Sequence, residues 1–263
     1  FYSVSFGGAY WLWMAILFSF ILQAVAYEYR SKPANVYGTG IFDGFLFING
    51  CLGPFLIGVA VATFFTGADF SLDMYNRVTW GSDWHGIEAL ANPVNLLLGL
   101  AVLFLARVLG LLYIVNTVED DDLVKRAFKS VVVNAVLFLV FFLAFVAMLI
   151  TLKGYHTDKV TGAITTQKYF YLHSLLGNVI TLLLFVAGVV LVLAGLFMSI
   201  FRHSLNSIWY VGAGTVVTGV ALFFLAGYGG SAFYPSVKDP GSSLTLAKSS
   251  SSLFTLKTMM FVS

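Results

Sequence analysis

Long, uninterrupted apolar stretches dominate this 263-residue chain and limit what it can fold into. A helix needs about 20 consecutive apolar residues to cross the hydrocarbon core of a bilayer. The chain contains six such stretches, and a seventh starts near its end. Only 10% of the residues are charged, whereas a soluble domain carries about a quarter of its residues as charged side chains. The sequence therefore predicts an integral membrane protein.

The apolar stretches predict an all-α fold, a single polytopic transmembrane helical bundle over residues 1–263. Outer-membrane strands do not fit, because runs longer than about 20 residues lack the alternation of polar and apolar side chains that such strands need. We place the six full spans at residues 8–27, 41–65, 93–115, 131–152, 172–201 and 208–226, and the start of a seventh from residue 253.

The segments between the spans carry most of the polar residues. Two long loops, 67–92 and 227–252, are rich in Gly, Ser and aromatic residues, and we expect both on the outer side of the bundle. Residues 119–129 begin with acids and continue with cations, the order that a helix dipole favours. They predict an interfacial helix, an extension of the fourth span, or a solvated charged turn. Of the 14 cations, six fall on one side, seven on the other and Arg107 within a span, so their count does not fix the orientation.

Ionisable side chains in or beside the spans are candidates for function, because a charge inside a membrane is costly. Arg107 lies deepest. It could snorkel, pair to hold two helices together, or lie near a quinone or proton path. Asp43, at the start of the second span, is either an acid at a helix N-terminus or a proton-relay acid. Glu28 and Arg30 flank Tyr29 at the end of the first span, which predicts a local or inter-helix ion pair.

The placement of histidine bears on redox chemistry. A haem inside a helical bundle needs an axial histidine within a span, but His85, His156, His173 and His203 all fall in predicted loops or at helix ends. We therefore expect no haem or metal ligated by this chain. His85 and Glu88 form a weak metal pattern, for which a satisfied surface histidine is the simpler interpretation. The net charge of +2 provides no basic field for nucleic acid.

Three ordered motifs carry a resemblance that covers essentially the whole chain. Residues 27–32, Tyr-Glu-Tyr-Arg-Ser-Lys, resemble the aromatic-acid-aromatic-Arg-x-Lys signature of subunit II of cytochrome bd-type ubiquinol or menaquinol oxidases. Ala-Asn-Pro at 91–93 resembles the Leu-Asn-Pro with which the family begins a span. Phe-Tyr-Pro at 233–235 and the Ser- and Thr-rich segment 243–256 resemble the outer loop before the last span. The resemblance assigns Glu28, Arg30 and Lys32 to the signature, position for position.

This resemblance implies a non-haem subunit in a bacterial or archaeal cytoplasmic membrane. Its partner would be the haem-bearing subunit I, which holds haem b and haem d, oxidises quinol and reduces dioxygen to water. Subunit II would supply scaffold, part of a proton or oxygen path and, in some members, a bound structural quinone. Quinone, membrane lipid and a small accessory subunit are its further expected partners, whereas nucleic acid is not.

Two features depart from the family pattern. The acidic N-terminal span of the family and its following Trp-Asp-Gly segment have no counterpart here, and Lys248 stands where the family has an acid or amide. The first departure indicates either a piece that starts after these segments or a subunit without them. With the start at Phe1 and the end inside an apolar run, we expect a piece of a longer subunit that lacks N-terminal spans and the C-terminal end. A secondary transporter and a membrane assembly factor are the alternatives. Paired helix breaks in two halves would favour a transporter, and only the second span has one, at Gly53 and Pro54.

Overall fold

The computed structural model describes residues 2–33, 35–73, 75, 77–158, 163–227, 231–245, 257, 258 and 261. The predicted seventh span falls almost entirely outside these residues. The described chain forms α-helices, two antiparallel hairpins and two 3-10 turns. The elements are α1 (Tyr2–Gly8), α2 (Tyr10–Tyr29), α3 (Thr39–Thr66), β1 (Phe70–Leu72), β2 (Val78–Trp80), α4 (Pro93–Thr117), α5 (Asp121–Thr151), β3 (Gly154–Thr157), β4 (Ile164–Gln167), α6 (Phe170–Gly177), α7 (Val179–Arg202) and α8 (Ser207–Gly227), with the 3-10 turns at Ile87–Ala91 and Pro240–Ser242.

Within the residues that the structure describes, six helices are long and apolar enough to cross a membrane, namely α2, α3, α4, α5, α7 and α8. The shortest has 20 residues and the longest 31, so they measure roughly 30 to 46 Å at 1.5 Å per residue. That range covers the hydrocarbon thickness of a bilayer. The prediction of an all-α polytopic bundle with six full spans is confirmed, and the chain is a multi-pass membrane protein.

Neighbouring helices in the chain are neighbours in space. Helices α2, α3, α4 and α5 pack in sequence order, and the pair α7 and α8 packs against α4 and α5. Both hairpins and the loop before Pro240 gather at one end of the bundle, which we call the hairpin side. The opposite end, the turn side, carries the short connections after α2, α4 and α7.

Glycines bring neighbouring helices into backbone contact. A Cβ placed on Gly58 of α3 would lie 2.7 Å from Cα of Gly99 on α4, and a Cβ on Gly99 would lie 2.7 Å from Cγ2 of Val59. Helices α7 and α8 approach in the same way, since a Cβ on Gly214 would lie 2.7 Å from the amide nitrogen of Val192. Small residues let transmembrane helices pack closely where lipid offers no hydrophobic driving force.

The fifth predicted span is broken in the structure. A single helix over 172–201 is wrong, because α6 ends at Gly177 and α7 begins at Val179. The Asn178 side chain accepts a 3.2 Å hydrogen bond from the amide of Ile180 and caps α7. An asparagine in extended conformation satisfies the free amides at a helix N-terminus, so a new helix starts there.

The charged segment 119–129 continues the fourth span. Helix α5 begins at Asp121 and runs without a break, so the predicted helix extension is confirmed and the solvated turn is wrong. Asp120 caps the helix by accepting hydrogen bonds from the amides of Asp122 (3.0 Å) and Leu123 (2.9 Å). Helix α5 has 31 residues and is therefore about 46 Å long, which exceeds the hydrocarbon thickness of roughly 30 Å. The charged turns therefore extend beyond the membrane.

The described parts of the long loops lie together on the hairpin side, and their placement on the outer side of the membrane stays a prediction. The amide of Ala68 donates to the carbonyl of Pro235 (3.1 Å), and the amide of Ala232 donates to the carbonyl of Tyr155 (2.9 Å). Between them, Tyr234 is fully buried. The structure also contains a short hairpin in the first of these loops, β1 with β2, which the composition did not predict.

Candidate functional site

An ion pair on the turn side joins the ends of α2 and α3. Arg30 follows α2 and donates a 2.6 Å hydrogen bond from Nε to Oδ1 of Asp43, near the start of α3. Nζ of Lys32 lies 2.5 Å from Oε1 of Glu28. Glu28 and Arg30 thus use different partners. The hydrogen bond with Glu28 raises the pKa of Lys32, so the amine of Lys32 stays charged.

The connection between α2 and α3 brings Arg30 and Asp43 together. Asn35 donates from Nδ2 to the carbonyl of Gly38 (2.9 Å) and accepts from the amide of Tyr37 (3.0 Å). Gly38 has φ 72°, in the left-handed region that glycine adopts without steric cost. This turn directs the chain back along α2, so Asp43 lies beside the end of that helix.

A hydrogen-bonded triad, in which Ser19 and Asn49 are buried and Gln23 is half-buried, lies deeper between the same two helices. Oγ of Ser19 is 2.8 Å from Oδ1 of Asn49, and Nδ2 of Asn49 donates a 2.6 Å hydrogen bond to Oε1 of Gln23. Ser19 was not a predicted site residue, although a serine within an apolar run was the available signal. Polar side chains within a membrane pair across helices in this way, and the triad fixes α2 against α3.

Arg107 is exposed on α4. Among the described residues it forms no ion pair or hydrogen bond, so the predicted pairing of two helices does not occur within this part of the chain. Gly110, one turn further along α4, is exposed, and a Cβ there would have no atom within 4 Å. Tyr113 follows on the same side and is 60% exposed. The charge therefore faces away from the bundle.

An apolar cavity of about 310 Å³ lies between α3, α4, α5, α7 and α8. The hydroxyls of Thr215 and Thr218 in its wall donate to carbonyls of their own helix, at Val211 and Gly214. No charged residue lines it among the described residues. The cavity therefore suits an apolar molecule. Further lining residues include Gly58, Val61, Leu98, Leu105, Phe138 and Val189.

The histidines lie outside the six spanning helices. His85 stacks on Trp80 with ring centroids 4.6 Å apart, on the hairpin side. His156 is in β3, His173 is in α6, and His203 follows α7. Across the described ranges, no three His, Cys, Asp or Glu side chains form a group that could hold a metal ion. His85 and Glu88 have no third ligand beside them within those ranges.

Comparisons with known proteins agree with the resemblance that the sequence motifs indicated. The family model for cytochrome bd terminal oxidase subunit II matches residues 1–263. The cytochrome bd-I ubiquinol oxidase subunit 2 of Escherichia coli strain K12 is 29% identical over 155 residues, which cover 59% of this chain and 40% of that protein. The cytochrome bd ubiquinol oxidase subunit 2 of Bacillus subtilis strain 168 is 29% identical over 167 residues, covering 62% and 46%.

The matched segment thus spans less than half the length of these two curated relatives. The family match, in contrast, extends over the full chain. It includes the Arg30 and Asp43 pair, the Asn49 triad and the apolar cavity. On this match the chain belongs to the cytochrome bd terminal oxidase subunit II family.

Proposed function

We propose that this chain is the non-haem subunit of a cytochrome bd-type quinol oxidase. It packs beside a haem-bearing subunit in which quinol is oxidised and dioxygen is reduced to water. The family match over residues 1–263 carries this proposal. The chain is then an oxidoreductase subunit of a bacterial or archaeal cytoplasmic membrane, and the active site belongs to its partner.

The positions of the histidines support a partner that holds the haems. A haem in a bundle needs an axial histidine inside a span, and the histidines of the described chain lie in loops, a hairpin and the short helix α6. Haem b and haem d therefore belong to subunit I on this proposal. The roles left to this chain are scaffold and access.

The apolar cavity supports a role in oxygen access. Its threonine hydroxyls are already bonded within α8, so the wall offers apolar contacts to its occupant. Dioxygen is small and apolar and would enter such a space from the membrane. The isoprenoid tail of a structural quinone would make the same contacts, and the two occupants differ in size.

The turn-side charges support a role in proton uptake. The Asp43 side chain is 48% exposed and is hydrogen-bonded to Arg30, so its carboxylate is open to water at this end of the bundle. Glu28 and Lys32 are also exposed at this end. A proton path through this chain would begin at these groups.

Purification of the tagged chain tests the function. If the chain is an oxidase subunit, we expect the protein extracted from native membranes in mild detergent to show the reduced-minus-oxidised spectrum of haem b and haem d. The same tagged chain from cells without the haem-bearing subunit should be colourless. A colourless chain purified alone from cells that make the oxidase would reject the proposal. Absence of the chain from the active complex would indicate an assembly factor, and substrate flux in liposomes holding only this protein would indicate a transporter.

A further inference from the structure

Five aromatic side chains form a continuous line on the hairpin side. Trp80 of β2 stacks on His85 with ring centroids 4.6 Å apart, and His85 lies 5.5 Å from Tyr10 at the start of α2. The Tyr10 ring is 5.5 Å from that of Trp11, and Trp11 is 5.5 Å from Trp84. Aromatic pairs in contact have ring centroids about 4.5–7 Å apart, so each ring contacts the next. We call these five residues the ring line.

The loop after β2 is held against the start of α2 by its backbone. Gly86 has φ 104°, which glycine adopts without steric cost, and a Cβ there would lie 2.9 Å from the amide nitrogen of Tyr10. Trp11 donates a 3.3 Å hydrogen bond from Nε1 to the carbonyl of Asp83 in the same loop. Because His85 directly precedes Gly86, this backbone contact places its ring beside Tyr10.

Anchoring at the membrane surface does not by itself explain the line. Trp and Tyr are enriched at membrane interfaces, and four of the five tryptophans lie at this end, whereas Trp209 is on the turn side. Anchoring needs no contact between rings. The line, however, is unbroken and continues through His85, whose Nδ1 donates to the carbonyl of Ser82 (3.2 Å). The contacts therefore point to a role that depends on neighbouring rings.

Transfer of single electrons is such a role. Indole and phenol are among the side chains that most readily lose an electron, and electron transfer slows steeply as two rings move apart. At neutral pH a phenol gives up an electron and a proton more readily than an indole does, so a radical passes from tryptophan to tyrosine. Phenoxyl radicals also react with dioxygen far more slowly than indolyl radicals. A tyrosine among tryptophans is thus suited to collect an oxidising equivalent and hold it.

We propose that Tyr10 collects oxidising equivalents from the three tryptophans of the ring line. A one-electron oxidant, such as a radical derived from dioxygen, takes an electron from an indole, which releases its N–H proton to water. The indolyl radical then takes an electron from the Tyr10 phenol and a proton from water, and the phenol releases its O–H proton. The indole is restored, and Tyr10 carries the radical. Trp11 reacts with Tyr10 directly, and Trp80 reacts through the ring of His85.

Tyr10 allows a conservative substitution. Among the described residues its hydroxyl makes no hydrogen bond, and its contacts are those of the ring. Tyr10→Phe therefore removes the oxidisable phenol and keeps the packing. Tyr29→Phe is the matched control, because Tyr29 lies at the other end of α2 and is similarly exposed, at 50% against 44% for Tyr10.

Mapping of oxidised tryptophans tests the relay. The protein purified from native membranes is exposed to azidyl radicals, which oxidise indole selectively, and peptide mass spectrometry measures the kynurenine and hydroxytryptophan formed at each position. We expect Tyr10→Phe to raise the yield at Trp11 and Trp80 several-fold, because their radicals are no longer repaired. The yield at Trp209 should not change, and Tyr29→Phe should match the unsubstituted protein. Equal yields at Trp11 and Trp80 with and without the Tyr10 phenol would overturn the inference.

The histidine gives a second measurement. His85→Leu removes the ring between Trp80 and Tyr10, so it should raise the oxidised yield at Trp80 and leave the yield at Trp11 unchanged. Equal increases at both positions, or none at Trp80, would reject the route through His85. Pulse radiolysis adds the time course. The indolyl absorption should convert into phenoxyl absorption at a rate independent of protein concentration, and Tyr10→Phe should remove this phase.

Only the source of the oxidant rests on the proposed function, since a terminal oxidase handles dioxygen. If haem b and haem d accompany the chain but Tyr10→Phe leaves the oxidation pattern unchanged, the relay is wrong and the proposed function stands. If no haem accompanies the chain, the proposed function is wrong, and the oxidation pattern still decides the relay.

Discussion

Nε of Arg30 lies 2.6 Å from Oδ1 of Asp43 and closes the turn between the first two spanning helices. Both side chains are about half exposed, so water screens the pair. Exposed ion pairs contribute about 0.2–1 kcal/mol. The pair therefore fixes the relative positions of the two helix ends but adds little to the stability of the fold.

Arg30→Ala should lower the amount of assembled complex more than its turnover. The substitution removes the ion pair with Asp43. A loss of up to about 1 kcal/mol would shift the equilibrium between assembled and unassembled subunit by up to about fivefold. Haem content per membrane protein and oxygen uptake per haem measure the two effects. Lys125→Ala is the control, because Lys125 is exposed and its ion pair is weak, with Nζ as far as 4.0 Å from Oδ1 of Asp122. Normal haem content in Arg30→Ala would count against this role.

Asp43→Asn separates the two roles of the acid. The amide oxygen still accepts the hydrogen bond from Arg30, so assembly should be unchanged. A proton-path role predicts slow quinol-dependent oxygen uptake at normal haem content, because the amide of asparagine, unlike a carboxyl group, does not bind and release protons. Full activity would make Asp43 a structural residue.

Gly58→Ala should destabilise the bundle. The added Cβ would lie 2.7 Å from Cα of Gly99 and 2.8 Å from the carbonyl oxygen of Leu98, so the two helices must move apart. Overpacking of this kind costs about 1–3 kcal/mol. Gly50→Ala in the same helix is the matched control, since nothing lies within 4 Å of that position. Thermal unfolding in detergent would show a lower midpoint for Gly58→Ala alone, and equal midpoints would contradict the packing argument.

Val189→Phe and Val190→Phe test the apolar cavity with adjacent residues. Val189 lines the cavity, whereas Val190 is 56% exposed on the outer face of α7. If dioxygen uses this space, Val189→Phe should raise the apparent KM for oxygen several-fold at unchanged haem content, and Val190→Phe should leave it unaltered. Oxygen uptake at low oxygen concentration measures this. Identical KM values for both variants would exclude the cavity as an oxygen route.

Tyr234 should ionise only in strong alkali. Burial raises its pKa from 10.0 to about 12, and its ring lies 5.8 Å from Phe64 and 5.9 Å from Phe70. In the unfolded chain the phenol loses its proton near pH 10, so the free energy of unfolding falls as pH rises from 10 to 12. The absorbance at 295 nm that Tyr234→Phe removes should titrate near pH 12. A midpoint near 10 would show that this ring is solvated.

The spans could be predicted because lipid imposes one requirement on every crossing. About 20 apolar residues in a row are needed, and all six full spans were found where the sequence placed them, apart from the break in the fifth. Asn178 lies between two apolar segments that together resemble one long span. Composition alone therefore did not reveal that Asn178 ends one helix and caps the next. An asparagine immediately before a new apolar run was the signal that could have located it.

Side-chain partners were less predictable than helices. Glu28, Arg30, Lys32 and Asp43 were identified as candidates, but which acid meets which cation depends on the turn at Gly38. Arg107 shows the opposite problem. Its depth follows from sequence, but its direction depends on how α4 rotates against α3, and a helix that is apolar on every face carries no information on that rotation.

The contact of Gly58 with Gly99 has a mechanical consequence. A Cβ on either glycine would overlap the facing helix, so α3 and α4 are in backbone contact there. For a rotation about this contact as a pivot, Phe47 lies eleven residues away, at an arm of about 16 Å. A small change in the crossing angle moves Phe47 and Arg107 much further than it moves the atoms at the pivot. A side chain added at either glycine would therefore be felt at the far ends of both helices as well as at the contact itself.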